Sequence, residues 1–241
     1  MYGPGGPSFA ELLQQALSST RGGYDLLAPK FDRTPFRTPD DVIGRVVERI
    51  SDRPIGMALD LCCGTGAGLG ALDAIAEVAI GIDFSPGMIA TGRERLAGQP
   101  VHFVRGDALA LPFGERFDLV TSFGAMGHFE PIDQPTLFAE VARILRPGGR
   151  FVTITSERPP PWRRDYWILR GFNAVMRVRN ALVSPPFIMY YLHFDLPVAV
   201  GRMVEAGLDP YVQPLGHPEA PSLRLLIGHK PTLRNSADSA S

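Results

Sequence analysis

The sequence predicts an α/β fold in which a doubly wound, seven-stranded sheet is covered by helices on both faces. Short apolar runs, typical of buried parallel strands, alternate along the chain with amphipathic helical patterns. A glycine-rich turn joins the first such strand to its helix, and acidic residues follow three successive strands. Alternation of this kind implies right-handed crossovers and a mostly parallel sheet, whose ligands lie at the carboxyl ends of the strands.

Composition and charge indicate the number of domains, the kinds of partner and the cellular compartment to expect. The chain has 241 residues, enough for one large domain with a full core, and a net charge of −1. A partner such as nucleic acid or a membrane would therefore need a local charged patch. The two cysteines are adjacent, which favours a reducing compartment, and the beginning of the chain lacks the pattern of a signal peptide. No stretch reaches the ~18 apolar residues of a membrane span. We therefore expect a cytoplasmic protein without such a span.

Two helices are predicted before the first strand. Ser8 and Glu11 have the spacing of a capping box at the start of a helix over residues 9–17. A second helix, with Thr38 as its N-cap, Pro39 at its first position and an apolar face of valines and isoleucines, is predicted over residues 39–50. Residues 24–32, with the sequence YDLLAPKFD, lie between these two helices.

The glycine-rich turn carries most of the functional information. The strand over residues 57–59 ends at Asp60 and is followed by CCGTGAG at residues 62–68. Glycines permit positive φ angles and close approach of a ligand to the backbone, and the following helix start offers unpaired N–H groups. A Walker phosphate loop would end in Gly-Lys-Ser/Thr, which is absent here. A dinucleotide-binding turn needs Gly-x-Gly-x-x-Gly, and Gly64, Gly66 and Gly68 do not match that spacing.

Further strands follow at regular intervals. The second, residues 78–82, ends at Asp83, and the third, residues 101–104, is followed by Asp107. The fourth strand covers residues 117–123, a helix covers 133–145, and the fifth strand covers 150–155. A last helix is predicted over residues 198–206, and two further apolar segments cover 212–215 and 223–228.

Together these motifs resemble those of the class I S-adenosylmethionine (SAM)-dependent methyltransferases. DLCCGTG at residues 60–66 resembles the family's first motif, Asp-x-Gly-x-Gly-x-Gly, and GIDFSPGM at 81–88 resembles its second-strand motif. FDLV at 117–120 with ILRPGGRF at 144–151 is similar to later family segments. The resemblance implies a Rossmann-like sheet that ends in an antiparallel hairpin over residues 212–215 and 223–228. It also implies SAM as cofactor and S-adenosyl-L-homocysteine as product. Cys62 departs from the pattern, since the family usually has its first glycine there, and Cys62 would form a wall of the pocket.

The resemblance also implies a set of cofactor-binding residues. Asp83 would hold the ribose hydroxyls, and Asp107 would accept a hydrogen bond from the adenine amino group. Segment 24–32 resembles the segment that folds over the cofactor in small-molecule methyltransferases, and a surface helix is the alternative. The full implied set is Tyr24, Asp60, Cys62, Gly64, Thr65, Gly66, Asp83, Phe84, Met88, Asp107, Ala108, Leu109 and Phe123.

Acceptor residues are expected after the fourth and fifth strands. His128 could deprotonate an acceptor as a catalytic base, and a histidine that only packs or touches the substrate is the alternative. Residues 157–195 are rich in aromatic side chains and contain six arginines between 158 and 179 against one acid, Asp165. In the family an insertion here forms part of the acceptor pocket; the alternative is a helical hairpin that covers the sheet or makes a homodimer contact. The candidate substrate residues are His128, Trp162, Tyr166, Tyr190, Tyr191 and His193.

We therefore divide the chain by expected role. Residues 1–52 cap the cofactor site, 53–156 form the SAM-binding core, 157–195 form an acceptor lid, 196–230 complete the core and 231–241 form a disordered tail. The leading function is methyl transfer to an apolar, aromatic or lipid-like small molecule, without nucleic acid as a partner. Two alternatives stay open: an RNA or protein methyltransferase that uses the arginines, and a SAM-binding partner protein without activity. No cysteine or histidine cluster has zinc spacing, so no metal is expected. Deleting the insertion should abolish transfer and leave SAM binding largely intact.

Overall fold

The computed structural model describes residues 5–34 and 36–232, and its centre is one seven-stranded sheet. The strands are β1 (Ile55–Leu61), β2 (Ala76–Asp83), β3 (Val101–Arg105), β4 (Phe117–Ser122), β5 (Leu145–Ser156), β6 (Asp209–Pro214) and β7 (Leu223–His229). They lie in the order β3-β2-β1-β4-β5-β7-β6. Strands β1 to β5 are parallel, and β7 runs antiparallel to both β5 and β6. This confirms the predicted fold class, including the antiparallel hairpin at the end of the sheet.

Eight α-helices are found among the described residues. They are α1 (Phe9–Leu17), α2 (Thr20–Leu27), α3 (Asp40–Ile50), α4 (Ala67–Asp73), α5 (Pro86–Arg95), α6 (Gln134–Ile144), α7 (Arg164–Leu182) and α8 (Leu196–Glu205). Short 3-10 helices cover Ala28–Arg33 and Met126–His128. The capping box at Ser8 and Glu11 is formed as predicted. No helix in the described ranges is both long enough and apolar enough to cross a membrane.

The core lies on both faces of the sheet. Side chains alternate between the two faces along each strand, so Leu59 joins one core with Phe151, while Ala58 joins the other with Val152. Helices α6 and α8 contribute to the first core, and α3 and α4 contribute to the second. Strand β1 is buried on both faces at the middle of the sheet, which fixes the position of the turn that follows it.

Most predicted elements shift by only a few residues, but the fifth strand begins earlier than expected. It starts at Leu145, directly after α6, instead of at Arg150. Its pairing with β4 is interrupted between Leu145 and Arg150, where Gly148 has a φ of +78°. The Pro-Gly-Gly sequence therefore forms an irregularity inside the strand and does not act only as a helix stop. The last nine residues of the expected tail, 233–241, lie outside the described residues.

The N-terminal helices pack against the insertion that follows β5. The insertion consists of residues 157–163, helix α7 and an irregular segment over residues 183–195. The Thr20 backbone N–H donates to the Pro186 carbonyl at 3.2 Å, and the Ile188 N–H donates to Thr20 Oγ1 at 2.7 Å. The Arg179 guanidinium donates to the carbonyls of Ala16 and Ser18, each at 2.7 Å. Two segments at opposite ends of the described chain thus form one layer beside the carboxyl edge of the sheet.

Candidate functional site

The turn after β1 forms the floor of a cavity. Cys62, Gly64 and Gly66 all have positive φ angles, of 57°, 52° and 82°. The Cys63 N–H donates to the Ile82 carbonyl at 3.0 Å, which fastens the turn to β2. A Cβ atom at Gly64 would meet no atom within 4 Å, so the backbone there faces open space. Cys62 adopts a left-handed conformation that favours glycine, which costs roughly 1–2 kcal/mol.

At Gly66 and Gly68 the packing of the surrounding side chains requires glycine. A Cβ atom at Gly66 would lie 2.8 Å from a Leu96 side-chain carbon, and Gly66 does not line the cavity. A Cβ atom at Gly68 would lie 2.4 Å from the Phe123 ring and 2.6 Å from Asp60 Oδ2. The start of α4 can therefore approach β1 and β4 only without a side chain.

The cavity, of about 300 Å³, opens at the carboxyl ends of β1, β2 and β4. Small-molecule sites have volumes of roughly 300–1,000 Å³, so this one lies at the lower end. Twelve of the thirteen residues implied for the cofactor line the cavity, Gly66 being the exception. They are Tyr24, Asp60, Cys62, Gly64, Thr65, Asp83, Phe84, Met88, Asp107, Ala108, Leu109 and Phe123.

Three carboxylates face this cavity in different environments. Asp60 is buried, and its Oδ1 accepts from the Thr121 hydroxyl at 3.1 Å. Asp83 is also buried and accepts from the N–H groups of Gly64 and Ser85, both at 2.9 Å. Asp107 is exposed. The buried pair and the exposed carboxylate can therefore serve different parts of one ligand.

Burial changes the acidity of the two buried carboxyls. Loss of solvation raises the pKa of Asp60 to about 7, although the Thr121 hydrogen bond opposes the change. Desolvation also raises the pKa of Asp83, against the effect of its backbone hydrogen bonds. No arginine or lysine forms a salt bridge with either carboxylate within the described ranges. A positively charged ligand would supply the missing compensation.

Segment 24–32 closes one side of the cavity, and two of its acids were not singled out as site residues. Asp25 Oδ1 accepts from the Ser85 hydroxyl at 2.6 Å and from the Gly87 N–H at 2.9 Å. Asp32 Oδ1 accepts from the Thr65 hydroxyl at 2.6 Å. The segment is thereby tied to the glycine-rich turn and to the start of α5. The repeated aromatic-acid spacing in YDLLAPKFD was the signal that could have identified both acids.

His128 links three distant parts of the chain. Its Nδ1 lies 2.6 Å from the Ile188 carbonyl, which can only accept, so Nδ1 carries the proton. Its Nε2 then accepts from the Tyr24 hydroxyl at 2.8 Å. Burial lowers the pKa of His128 and raises the pKa of Tyr24. Both side chains are therefore neutral at pH 7. The unprotonated nitrogen of the imidazole, Nε2, accepts its hydrogen bond from the Tyr24 hydroxyl.

A second cavity, a groove of about 1240 Å³, lies on the other side of His128. It is formed by the end of β5, the insertion and the start of α8, and it shares Gly124 and His128 with the first cavity. Of the candidate substrate residues, His128, Trp162, Tyr190 and Tyr191 line it, whereas Tyr166 and His193 do not. His193 stacks on Tyr190 with ring centroids 4.1 Å apart, and it lies 3.0 Å from Arg177.

The chain is similar to known methyltransferases in sequence and in fold. Residues 58–149 match a family model described as a methyltransferase domain. A demethylmenaquinone methyltransferase of Renibacterium salmoninarum is 32% identical over 184 residues, which cover 70% of this chain and 72% of that protein. A protein of the same name from Clavibacter sepedonicus is 38% identical over 144 residues, 57% of this chain. The matched part spans only 58% of the length of the Clavibacter protein.

A similar fold occurs in a solved structure with a bound cofactor. Phosphoethanolamine N-methyltransferase 2 of Haemonchus contortus, in complex with S-adenosyl-L-methionine, superposes with a TM-score of 0.61. The superposition covers 80% of this chain and 53% of that one, at 18% sequence identity. At that identity the likeness concerns the fold alone.

Proposed function

We propose a reaction for this chain from the premise that it belongs to the class I SAM-dependent methyltransferases. In our proposal it transfers the methyl group of SAM to an apolar, aromatic small molecule of the quinol type. The observation that carries the proposal is the meeting of two cavities at His128, one carrying the cofactor motifs and the other large and aromatic.

The residues of the first cavity fit SAM. The open space above Gly64 allows a ligand to approach the backbone. The buried carboxyl of Asp60 suits a ligand with cationic groups, because it lacks a cationic partner among the described residues. Asp83 would hold the ribose, and the exposed Asp107 would hold the adenine. When bound, SAM supplies an electrophilic methyl group and leaves as S-adenosyl-L-homocysteine.

The second cavity supports an acceptor larger than a single ring. Its volume of about 1240 Å³ and its aromatic walls suit a flat ring followed by an apolar chain. Relatives named demethylmenaquinone methyltransferase support the same chemistry, a reduced naphthoquinone with an isoprenoid chain. In such an acceptor a ring C–H bond becomes C–CH3, and one proton leaves the ring.

We propose that Tyr24 and His128 receive that proton or one from a ring hydroxyl. In the proposed arrangement the acceptor gives its proton to Tyr24 Oη while the tyrosine proton moves to His128 Nε2, 2.8 Å away. The Ile188 carbonyl holds Nδ1–H and would stabilise the resulting imidazolium. SAM is already a strong electrophile, so alignment of the acceptor and exclusion of water account for part of the rate. Proton transfer to Tyr24 and His128 would increase the rate further.

The arrangement of the arginines disfavours RNA as the acceptor. Arg158 pairs with Asp195 at 3.3 Å and Arg163 with Asp165 at 3.0 Å. Arg179 is engaged by carbonyl groups of the N-terminal helices. Several of the insertion's positive charges therefore serve contacts within the chain.

Transfer to a defined acceptor tests the proposal. The full chain should bind SAM in calorimetry and should transfer its labelled methyl group to a dithionite-reduced naphthoquinone with a short isoprenoid chain. The same ring without the chain should react with a higher KM, since it leaves most of the groove unfilled. Transfer to RNA, or SAM binding without transfer to any quinol, would contradict the proposed acceptor.

Variants of the proton-accepting pair form a separate prediction. Tyr24→Phe and His128→Gln should lower kcat by about 10²-fold or more with little change in the Kd of SAM, the range expected for loss of general-base catalysis. The pH dependence of kcat should be altered in both variants. Loss of SAM affinity that parallels the loss of rate would instead mean that the pair only holds the segment over the cavity.

A further inference from the structure

Helix α7 presents an exposed apolar face, which we call the α7 outer face. Two of its residues are adjacent, the others follow at separations of seven, three and four positions, and each is at least 60% exposed. They are Trp167, Ile168, Val175, Val178 and Leu182. The opposite side of the helix is packed by Met176 and Asn173. A helix that buries one side and leaves five large apolar residues on the other has a surface that favours a second contact.

Positive charge accompanies this apolar surface. Arg163, Arg164, Arg170 and Arg177 are exposed on or next to α7, and Asp165, already paired with Arg163, is the one acid between residues 158 and 194. The whole chain has a net charge of −1, so the excess is local to the insertion. Trp162, at 84% exposed, lies directly before the helix.

We propose that the α7 outer face docks on the surface of an anionic phospholipid bilayer, with α7 lying in the plane of the interface. Exposed tryptophan, aliphatic side chains and arginines on one helix are the composition of an interfacial amphipathic helix. Tryptophan suits the boundary between headgroups and acyl chains, and arginine complements anionic headgroups. Nucleic acid would be attracted by the arginines but would leave Ile168, Val175 and Leu182 in water.

The groove borders the beginning of α7. Trp162, Arg163 and Leu169 line the groove and belong to α7 or the residues before it. Docking would therefore hold the groove entrance against the lipid, where an acceptor with an isoprenoid chain dissolves. This use of the surface rests on the proposed function, whereas the docking itself does not.

The N-terminal helix α1 adds to the same layer of the molecule. Its C-terminal carbonyls accept hydrogen bonds from Arg179 of α7. It exposes Phe9, Leu13 and Leu17, which are four residues apart and so share one helix face. Interfacial binding scales with buried apolar area plus electrostatic attraction, so this second stripe would strengthen the contact.

Vesicle binding by the full chain tests the proposal. Both tryptophans of the chain lie at this surface, so their fluorescence reports its contact with lipid directly. Vesicles of equimolar phosphatidylglycerol and phosphatidylcholine should sediment the protein and shift its emission to shorter wavelength. Vesicles of phosphatidylcholine alone should bind it much more weakly.

Matched variants separate this surface from the rest of the molecule. Val178→Ser should weaken binding to the anionic vesicles about tenfold, and Arg164→Gln should weaken it about fivefold. The first control is Val204→Ser on α8, because Val204 is 59% exposed and Val178 is 60% exposed. The second is Arg116→Gln, because Arg116 is exposed and precedes β4, at the amino-terminal end of that strand. Both controls should bind vesicles like the unmodified chain.

Three outcomes would overturn the proposal. The first is equal binding to neutral and anionic vesicles, or none to either. The second is a concentration-dependent dimer that Val178→Ser dissociates, in which the α7 outer face is covered by a second copy. The third is salt-sensitive binding to RNA that exceeds vesicle binding and is unaffected by Val178→Ser. Vesicle binding without methyl transfer would refute the proposed acceptor and leave the docking surface standing.

Discussion

The side chain of Asp83 is fixed by two hydrogen bonds from the backbone. Both of its oxygens accept backbone N–H groups, one from the glycine-rich turn and one from the start of α5. The carboxylate is therefore held in one orientation before any ligand arrives. Such preorganisation means that hydrogen bonds to a ligand cost little further ordering.

Replacement of Asp83 should accordingly weaken the cofactor site. A hydrogen bond to a buried charged group contributes about 1.5–3 kcal/mol, so Asp83→Ala should raise the Kd of SAM at least tenfold. Asp107→Ala is the matched comparison, and it should cost less because Asp107 is exposed. Calorimetry on both folded variants measures the difference, and equal affinities for Asp83→Ala and the unmodified chain would refute the assignment.

Asp60 should make both stability and ligand binding depend on pH. Its pKa of about 7 in the folded protein exceeds the ordinary value of 3.8, so the folded state binds this proton more tightly than the unfolded chain does. The unliganded protein should thus lose stability as pH rises from about 4 to 7, by roughly 4 kcal/mol if the whole shift is expressed. Asp60→Asn should flatten this part of the profile in denaturant titrations.

The affinity for SAM should depend on pH in the opposite direction to the stability of the unliganded protein, because SAM is cationic. Ionised Asp60 attracts the ligand, so the affinity of the unmodified chain should increase between pH 6 and pH 8, and binding should release protons. The difference from Asp60→Asn isolates this residue from the titration of SAM itself. Identical pH profiles for the two proteins would show that Asp60 does not face the charged part of the ligand.

At the residue scale, the sequence located the acids at strand ends and missed contacts between distant residues. Asp60 and Asp83 lie at the carboxyl ends of β1 and β2, Asp107 follows β3, and the parallel sheet brings these strand ends to one edge. Tyr24 and His128 are 104 residues apart, and their hydrogen bond depends on how a loop and a helix pack. No local pattern encodes such a pair.

At the scale of elements, the insertion and the N-terminal helices are one unit. Ile188 donates to Thr20, and the rings of Tyr24 and Phe187 stack with centroids 6.1 Å apart. This coupling changes what we expect from deleting residues 157–195. The cofactor motifs lie elsewhere, but Tyr24 would lose its neighbours, so SAM affinity should fall together with transfer.

A smaller change tests that coupling. Thr20→Val removes the oxygen that accepts the Ile188 N–H, and loss of one hydrogen bond of about 1 kcal/mol should raise both the Kd of SAM and the KM of the acceptor about fivefold. Ser51→Ala is the control, since it removes a hydroxyl bond at the end of α3, away from the insertion. An effect on the acceptor KM alone would show that the two segments act independently.

At the scale of the whole molecule, the alternation of strands and helices was enough to predict the sheet. The positions of the final strands followed from the family resemblance rather than from periodicity, because β7 inserts between β5 and β6. The packing of the insertion could not be predicted from the sequence. Its apolar residues face both the groove and the outer surface, so they produce no single amphipathic period.

Amide hydrogen exchange should distinguish the central sheet from the layer that the N-terminal helices and the insertion form. The amides of β1, β2, β4 and β5 are buried between two cores and should exchange slowest. Amides of α2 and of residues 183–195 should exchange faster, and saturating SAM should slow both segments together. Protection of α2 without protection of residues 183–195 would contradict the single layer.

The contact between Thr20 and Ile188 also determines when the site can be assembled during synthesis on the ribosome. Residues 9–27 are synthesised long before residues 183–195, the segment they dock against. Until that segment leaves the exit tunnel, α1 and α2 have no docking surface on the insertion, although the central strands can already pair. The site can therefore be completed only late in translation, and a nascent chain that stops before residue 183 would carry the cofactor motifs with an unassembled cover.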